Sequence, residues 1–114
     1  MKTVTLKVQT LETALDAFGD SWRSGQPAAP AIAFASWDLM HRVLVPRRLD
    51  LLRSLCGAGP ISIRELARRV GRDFKGVHTD VTALLDAGII DKDGKGVVFP
   101  YDRIHVEFDI EAAA

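Results

Sequence analysis

The strongest constraint on this chain is a pair of short amphipathic segments within residues 61–89, separated only by Gly71 and Arg72. Ser62-Ile63-Arg64-Glu65 has the spacing of a capping box, in which Ser62 and Glu65 each satisfy a free backbone N–H at a helix start. Ile61 and Leu66 occupy the two positions of a hydrophobic staple around it. Leu66, Ala67 and Val70 face inward, and Ala67 is small enough to let a second helix approach closely. Gly71 supplies the left-handed residue that stops this helix, and Asp73 is a good N-cap for the next. The second helix, over 73–87, is expected to bury Phe74, Val77, Val81, Leu84 and Leu85. Ala87-Gly88-Ile89 ends it in the manner of a Schellman motif, with Ile89 in reach of Leu84. Two short helices, a tight glycine turn between them and a helix before them make the helix-turn-helix pattern.

A hairpin signal follows directly. Ile89-Ile90-Asp91 and Val97-Val98-Phe99 are short apolar strands on either side of Asp93-Gly94, with Lys92 and Lys95 at the tip. A hairpin with a basic tip over 89–99, after the second helix, is the wing of a winged helix. The core positions leave Lys75, Gly76, Thr79, Thr82 and Ala83 on the outer face of that helix, with His78 on its flank. Such a face suits the major groove of DNA. Gly76 permits close backbone approach, and the threonines can bond to bases or touch a thymine methyl. Arg72 and Lys75 stand at the helix start, where dipole and charge both attract phosphate. The tip lysines suit phosphates too, which position a protein without reading sequence.

Elsewhere the chain alternates between strand and helix patterns. Val4, Leu6 and Val8 form one side of an alternating strand, with Thr3, Thr5 and Lys7 on the other. Leu11, Leu15, Phe18 and Trp22 recur at helical spacing, and residues 26–30 read as a linker. Ile32 and Phe34 belong to a second strand, and Ser36 caps a helix with Trp37, Met40 and Leu44 as its apolar stripe. Pro46 is expected as the first residue of a helix that buries Leu49, Leu52, Leu55 and Cys56, and Gly57, Gly59 and Pro60 end it. Cys56 on that face reads as an inert core residue. A last strand alternates from 103 to 110, with Ile104, Val106, Phe108 and Ile110 on one side. The two terminal strands are expected to pair, within one chain or between two. The helix over 11–22 then needs an apolar partner, for which a second subunit is the expectation.

Charge supports a polyanion partner. Residues 36–76 carry nine basic residues against four acids, and residues 77–114 carry eight acids against three bases, so a formal net charge of zero hides two opposed halves. A hydrophobic share of 47% with 26% charged residues marks a globular chain. No run approaches the ~18 apolar residues of a membrane span, and the single cysteine cannot build a disulfide framework. A cytoplasmic setting is expected, with no signal peptide. His41, His78 and His105 fall on separate elements without metal-ligand spacing. Gly57-Ala58-Gly59-Pro60 is no phosphate loop, and no serine sits in a nucleophile elbow. Neither an enzyme nor a cofactor or metal is expected.

The chain also resembles a family of small prokaryotic transcriptional regulators with a MarR-like winged helix. The resemblance runs through Phe34-Ala35-Ser36, Pro46-Arg47-Arg48-Leu49-Asp50-Leu51-Leu52 and Glu65-Leu66-Ala67. It continues through Gly71-Arg72-Asp73, Val77-His78, Asp80-Val81 and Gly88-Ile89-Ile90, and ends in Pro100-Tyr101-Asp102 with Ile104, Val106 and Phe108. It implies DNA binding, and some such proteins resemble antitoxins encoded beside a small toxin. Similar proteins often carry a basic residue at the positions of Thr79 and Thr82, a departure that should weaken phosphate or guanine contacts.

The expected architecture is therefore α+β: a winged helix-turn-helix with an additional N-terminal strand-helix and a C-terminal strand forming a small sheet. Residues 1–35 are expected as a strand-helix-strand dimerisation element, and residues 36–114 as the DNA-binding region with its C-terminal strand. The expected function is transcriptional regulation by a homodimer on double-stranded DNA, through Arg64, Arg72, Lys75, Gly76, His78, Thr79, Thr82, Lys92 and Lys95. The alternative is an antitoxin that masks a toxin protein and represses its own operon.

Overall fold

In the computed structural model, residues 1–9, 15, 16, 18, 19, 22, 23, 25 and 29–113 are described. Strand β1 (Thr3–Val8) runs up the middle of a three-stranded sheet, between β2 (Ala31–Phe34) and β5 (Arg103–Glu107), and both pairings are parallel. The register sets Val4 beside Ile104 and Leu6 between Ile32 and Val106, so one face of the sheet is apolar throughout. Val4 and Leu6 are fully buried there. Backbone bonds from Asp102 and Arg103 to the Lys2 carbonyl start the β1–β5 ladder. The Lys2 N–H donates in turn to the Asp102 carboxylate at 2.9 Å. The terminal strands thus pair within one chain, and the sheet draws on both sides of residue 35.

Helix α1 (Trp37–Val43) lies against β1 and β2 and buries Met40. Ser36 caps it by accepting from the Leu39 N–H at 3.1 Å. Helix α2 (Pro46–Leu55) begins at the proline, whose missing N–H costs nothing in the first turn. Helices α3 (Ile63–Val70) and α4 (Phe74–Asp86) cross α2 and each other, with Leu51, Leu52, Leu55, Leu66, Val77, Val81 and Leu84 fully buried between them. Gly71 stops α3 at φ 69°, as its position after Val70 requires. Asp73 caps α4 by accepting from the Gly76 N–H at 2.8 Å. At the far end the Gly88 and Ile89 N–H groups donate to the Leu85 and Leu84 carbonyls, the two bonds of a Schellman motif.

The hairpin of β3 (Asp91–Asp93) and β4 (Gly96–Val98) follows α4 and folds back on the segment before α3. Ile61 and Val97 exchange backbone hydrogen bonds of 3.0 and 2.8 Å, a one-residue bridge that docks the hairpin on the helices. Phe99, almost fully buried, pairs with Cys56 in a second bridge. Cys56 caps α2 and, expected in the core, is instead half-buried at the groove that Leu49 lines; its thiol is pushed up, first by burial and then by the Asp102 charge.

Several local expectations need correction. Leu49 is exposed and lies along a shallow groove with Arg53, Arg103 and Ile104, while Leu51 takes its place in the core. Trp37 is exposed and stacks on Phe108 at 5.6 Å, outside the core. Only half of the capping box forms: Ser62 accepts from the Glu65 N–H at 3.0 Å, but the Glu65 carboxylate turns to Arg68 and Arg69. The two-residue turn is Gly94-Lys95, one position later than Asp93-Gly94 suggests. The last strand ends at Glu107, leaving Phe108 and Ile110 exposed beyond it. The helix expected over 11–22 lies largely outside the described residues. Its described positions Leu15, Asp16, Phe18, Gly19 and Trp22 have helical backbone, and Leu15, Phe18 and Trp22 are exposed. Among the described residues, no helix is long and apolar enough to cross a membrane.

Gly96 shows how tightly the hairpin is docked. A Cβ there would sit 2.5 Å from the Ile61 carbonyl oxygen and 2.8 Å from its carbon, both backbone atoms. Gly96→Ala should therefore cost about 1–3 kcal/mol, whereas Lys95→Ala on the exposed tip should stay within about 0.5 kcal/mol. Urea denaturation of both variants checks this; equal midpoints would mean the hairpin does not rest on Ile61.

Candidate nucleic-acid interface

The site is organised from inside α4. Asp80 lies on the helix face that carries Val77, Val81 and Leu84, and its side chain is only 2% exposed. A lone buried carboxylate would be prohibitive, but three guanidinium groups surround this one. Arg72 Nη2 donates to Oδ2 at 2.9 Å, Arg48 Nε to Oδ1 at 3.0 Å, and Arg47 Nε to both oxygens at 3.1 and 3.2 Å. Arg48 also donates at 3.2 Å to the Arg42 and Val43 carbonyls, satisfying free acceptors at the end of α1. One carboxylate thus joins the end of α1, the start of α2, the α3–α4 turn and the middle of α4. Burial alone would raise the Asp80 pKa, but the hydrogen bonds from Arg72, Arg48 and Arg47 outweigh it and hold the carboxyl below its ordinary range.

Three cations about one anion leave surplus positive charge, and it reaches the surface. The Arg47 side chain is 55% exposed, and Arg72 is partly so. Arg72 Nη1 is buried without a hydrogen-bond partner. Arg72 is therefore both a strut under α4 and a part of the cationic surface.

The outer side of α4 presents Lys75, His78, Thr79 and Thr82, all exposed, with Gly76 and Ala83 half-buried between them. The threonine hydroxyls donate to the carbonyls one turn back, Thr79 to Lys75 at 3.0 Å and Thr82 to His78 at 2.9 Å. Each hydroxyl donor is thus held within the helix, which leaves the oxygen lone pairs and the methyl groups facing outward. Phe74, expected in the core, is instead 43% exposed. It stands in the first turn, where Val77 and Val81 already fill the inward positions. Arg64 of α3 lies over its ring at 5.1 Å, and the His78 ring is 5.8 Å away. Arg64, Phe74 and His78 form a small cationic and aromatic patch at the start of α4. Across the hairpin, a shallow cleft brings Lys92 and Lys95 alongside Ile63 and Leu85.

Asp80 is the residue that sequence reasoning passed over. Its signal was available, because an aspartate in register with Val77, Val81 and Leu84 must be buried, and a buried aspartate needs cations. Arg47 and Arg48, which the basic stretch and the resemblance both include without a role, share that cluster. Glu65 shows the contrasting exposed case, held down to about 2 by hydrogen bonds from Arg68 and Arg69. Among the described residues, no three His, Cys, Asp or Glu side chains converge as a metal site.

Because the folded-state pKa of Asp80 is depressed, its contribution to stability is complete above the unfolded value of about 4 and is lost as pH falls through the folded one. Asp80→Asn should therefore destabilise the fold by about 3–5 kcal/mol at neutral pH, by stranding three partly buried cations. The gap between variant and wild type should narrow in acid below the ordinary aspartate range. Chemical denaturation at neutral and acid pH reads both; a gap independent of pH would contradict an ionised Asp80.

Residues 43–106 match the model of the family described as HVO_A0114. No curated protein and no solved structure matches the chain.

Proposed function

The chain belongs to the HVO_A0114 family, and we propose that it is a winged helix-turn-helix transcriptional regulator of double-stranded DNA. In this reading α4 is the recognition helix, α3 the helix before it, and the β3–β4 hairpin the wing. The Ile61–Val97 bridge supports the assignment, since it ties the wing to the segment that precedes the paired helices.

One observation carries the functional reading. Every acid within residues 63–81 is engaged internally: Glu65 by Arg68 and Arg69, Asp73 as the α4 cap, and Asp80 by three arginines. The outer side of the helix pair from Arg64 to Thr82 is thereby left to cations and small polar groups, with the exposed Asp86 one turn further along the same face of α4. Lys75, Arg64 and the outer edge of Arg47 suit phosphates, while Lys92 and Lys95 would take phosphates along the adjoining groove. Thr79, Thr82 and Phe74 offer methyl and ring surface to thymine, and His78 offers a hydrogen bond to a base edge. Two copies would set their recognition helices about one helical turn, ~34 Å, apart on a two-fold operator.

A second reading is an antitoxin that masks a toxin protein. It is favoured by the exposed apolar side chains Leu15, Phe18 and Trp22, which offer a protein partner surface that DNA would not use. The two readings are compatible in one regulator of its own operon.

Fluorescence-anisotropy titrations across a salt series test DNA binding, comparing the duplex upstream of the protein's own gene with a scrambled one. Lys75→Ala should weaken binding to both duplexes and reduce the salt slope by about one. Thr79→Lys should strengthen binding and steepen the slope by a similar amount. Absence of binding to either duplex at low salt would remove the DNA reading and leave the protein partner.

A further inference from the structure

Strand β5 is an edge of the three-stranded sheet, and among the described residues no strand pairs along its outer side; α2 stands near its first residues, where Leu49 and Arg53 line a shallow groove with Arg103 and Ile104. Its backbone orientation follows from one bond: the Arg103 N–H donates inward to the Lys2 carbonyl. Strand groups alternate, so the N–H and C=O of Ile104 and Val106 point to the open edge. Exposed edges are templates for further pairing unless something blocks them.

The side chains of this edge are complementary to themselves. Reversed against a copy about His105, the five residues set Arg103 opposite Glu107, Ile104 opposite Val106 and His105 opposite His105. Opposite charges and apolar pairs coincide, and each residue stays on its own face of the sheet. The free N–H and C=O of Ile104 and Val106 then meet their counterparts as hydrogen-bonded pairs, with His105 at the intervening non-bonded position. Beyond the strand, Phe108 stacked on Trp37 is exposed and extends the apolar side. The other sheet edge, β2, is four residues long and carries no charge that would fix a register.

We infer that two copies of this chain join through antiparallel β5–β5 pairing about a two-fold axis at His105, continuing the three-stranded sheet into one of six strands. The inference rests on the two-copy part of the reading above and not on DNA.

Sedimentation of the full chain without DNA tests it. The wild type should be dimeric at micromolar concentration. Arg103→Glu should weaken the dimer about tenfold or more, equivalent to about 1.4 kcal/mol, by facing Glu107 with a like charge. Glu107→Arg alone should weaken it too, and the two changes together should recover most of the loss. Lys7 lies beside Glu107 in β1, so thermal melts of each variant check that the monomer itself is intact. A second measurement fixes the register. In a Cys56→Ser background, His105→Cys should form an intermolecular disulfide on mild oxidation, because non-bonded antiparallel pairs lie about 4.5 Å apart at Cα. Lys7→Cys, on the central strand, should not.

A monomeric wild type overturns the inference, as does a dimer indifferent to Arg103→Glu or a His105→Cys variant that does not cross-link. A protein that dimerises in this way and binds no DNA would keep the inference and lose the regulator; a monomer that binds DNA would do the reverse.

Discussion

The arrangement of the helices depends on the Asp80 carboxylate and the three guanidinium groups around it. Apolar packing among Leu51, Leu55, Leu66, Val77 and Leu84 turns one face of each helix inward, but it is non-directional and leaves the finer rotation of the helices open. The hydrogen bonds to Asp80 are directional and fix it. They hold the start of α2, the α3–α4 turn and, through Arg48, the end of α1 against one point on α4. Such a cluster is costly to desolvate and is weak evidence for net stability, but it penalises any packing that strands one of its members.

The same cluster links the interior to the surface. Arg47 and Arg72 each give one side to Asp80 and another to solvent or its near approach. Their positions are therefore set before any ligand arrives. A cation held in place loses less conformational freedom on binding than a free lysine does. The surface around the start of α4 combines both types, the exposed Lys75 and the held Arg72.

Most of the element order was legible in the sequence because its punctuation is local. Gly71, Asp73, Gly88 and Pro46 each have one conformational use, and the structure uses them in that way. Failures came where a residue's environment depends on distant chain. Phe74 fits an apolar helical stripe, yet its place in the first turn puts it at the surface beneath Arg64. Trp37 and Phe108 find each other from opposite ends of the sequence, which no periodicity shows. The parallel direction of the β1–β5 pairing was also invisible, since alternation reveals which face is buried and not which way a neighbour runs. For the candidate site, the exposed positions on α4 could be read from its spacing. The burial of Asp80 could be read the same way, but its partners could not.

The central strand of the sheet is held on one side by residues almost the whole chain away, with Lys2 and Asp102 bonded across a separation of 100 positions. During synthesis, β1 leaves the ribosome long before β5 exists. The helices close over shorter loops, as where Arg47 meets Asp80 across 33 positions, and can assemble in the interval, whereas closing the longer loop to β5 is slower. Until the last strand arrives, β1 has an open edge and its apolar face lacks part of its cover. Truncation or stalling near the C-terminus would thus leave a folded helical centre carrying an unfinished sheet. In that state the chain is most exposed to pairing with the wrong strand.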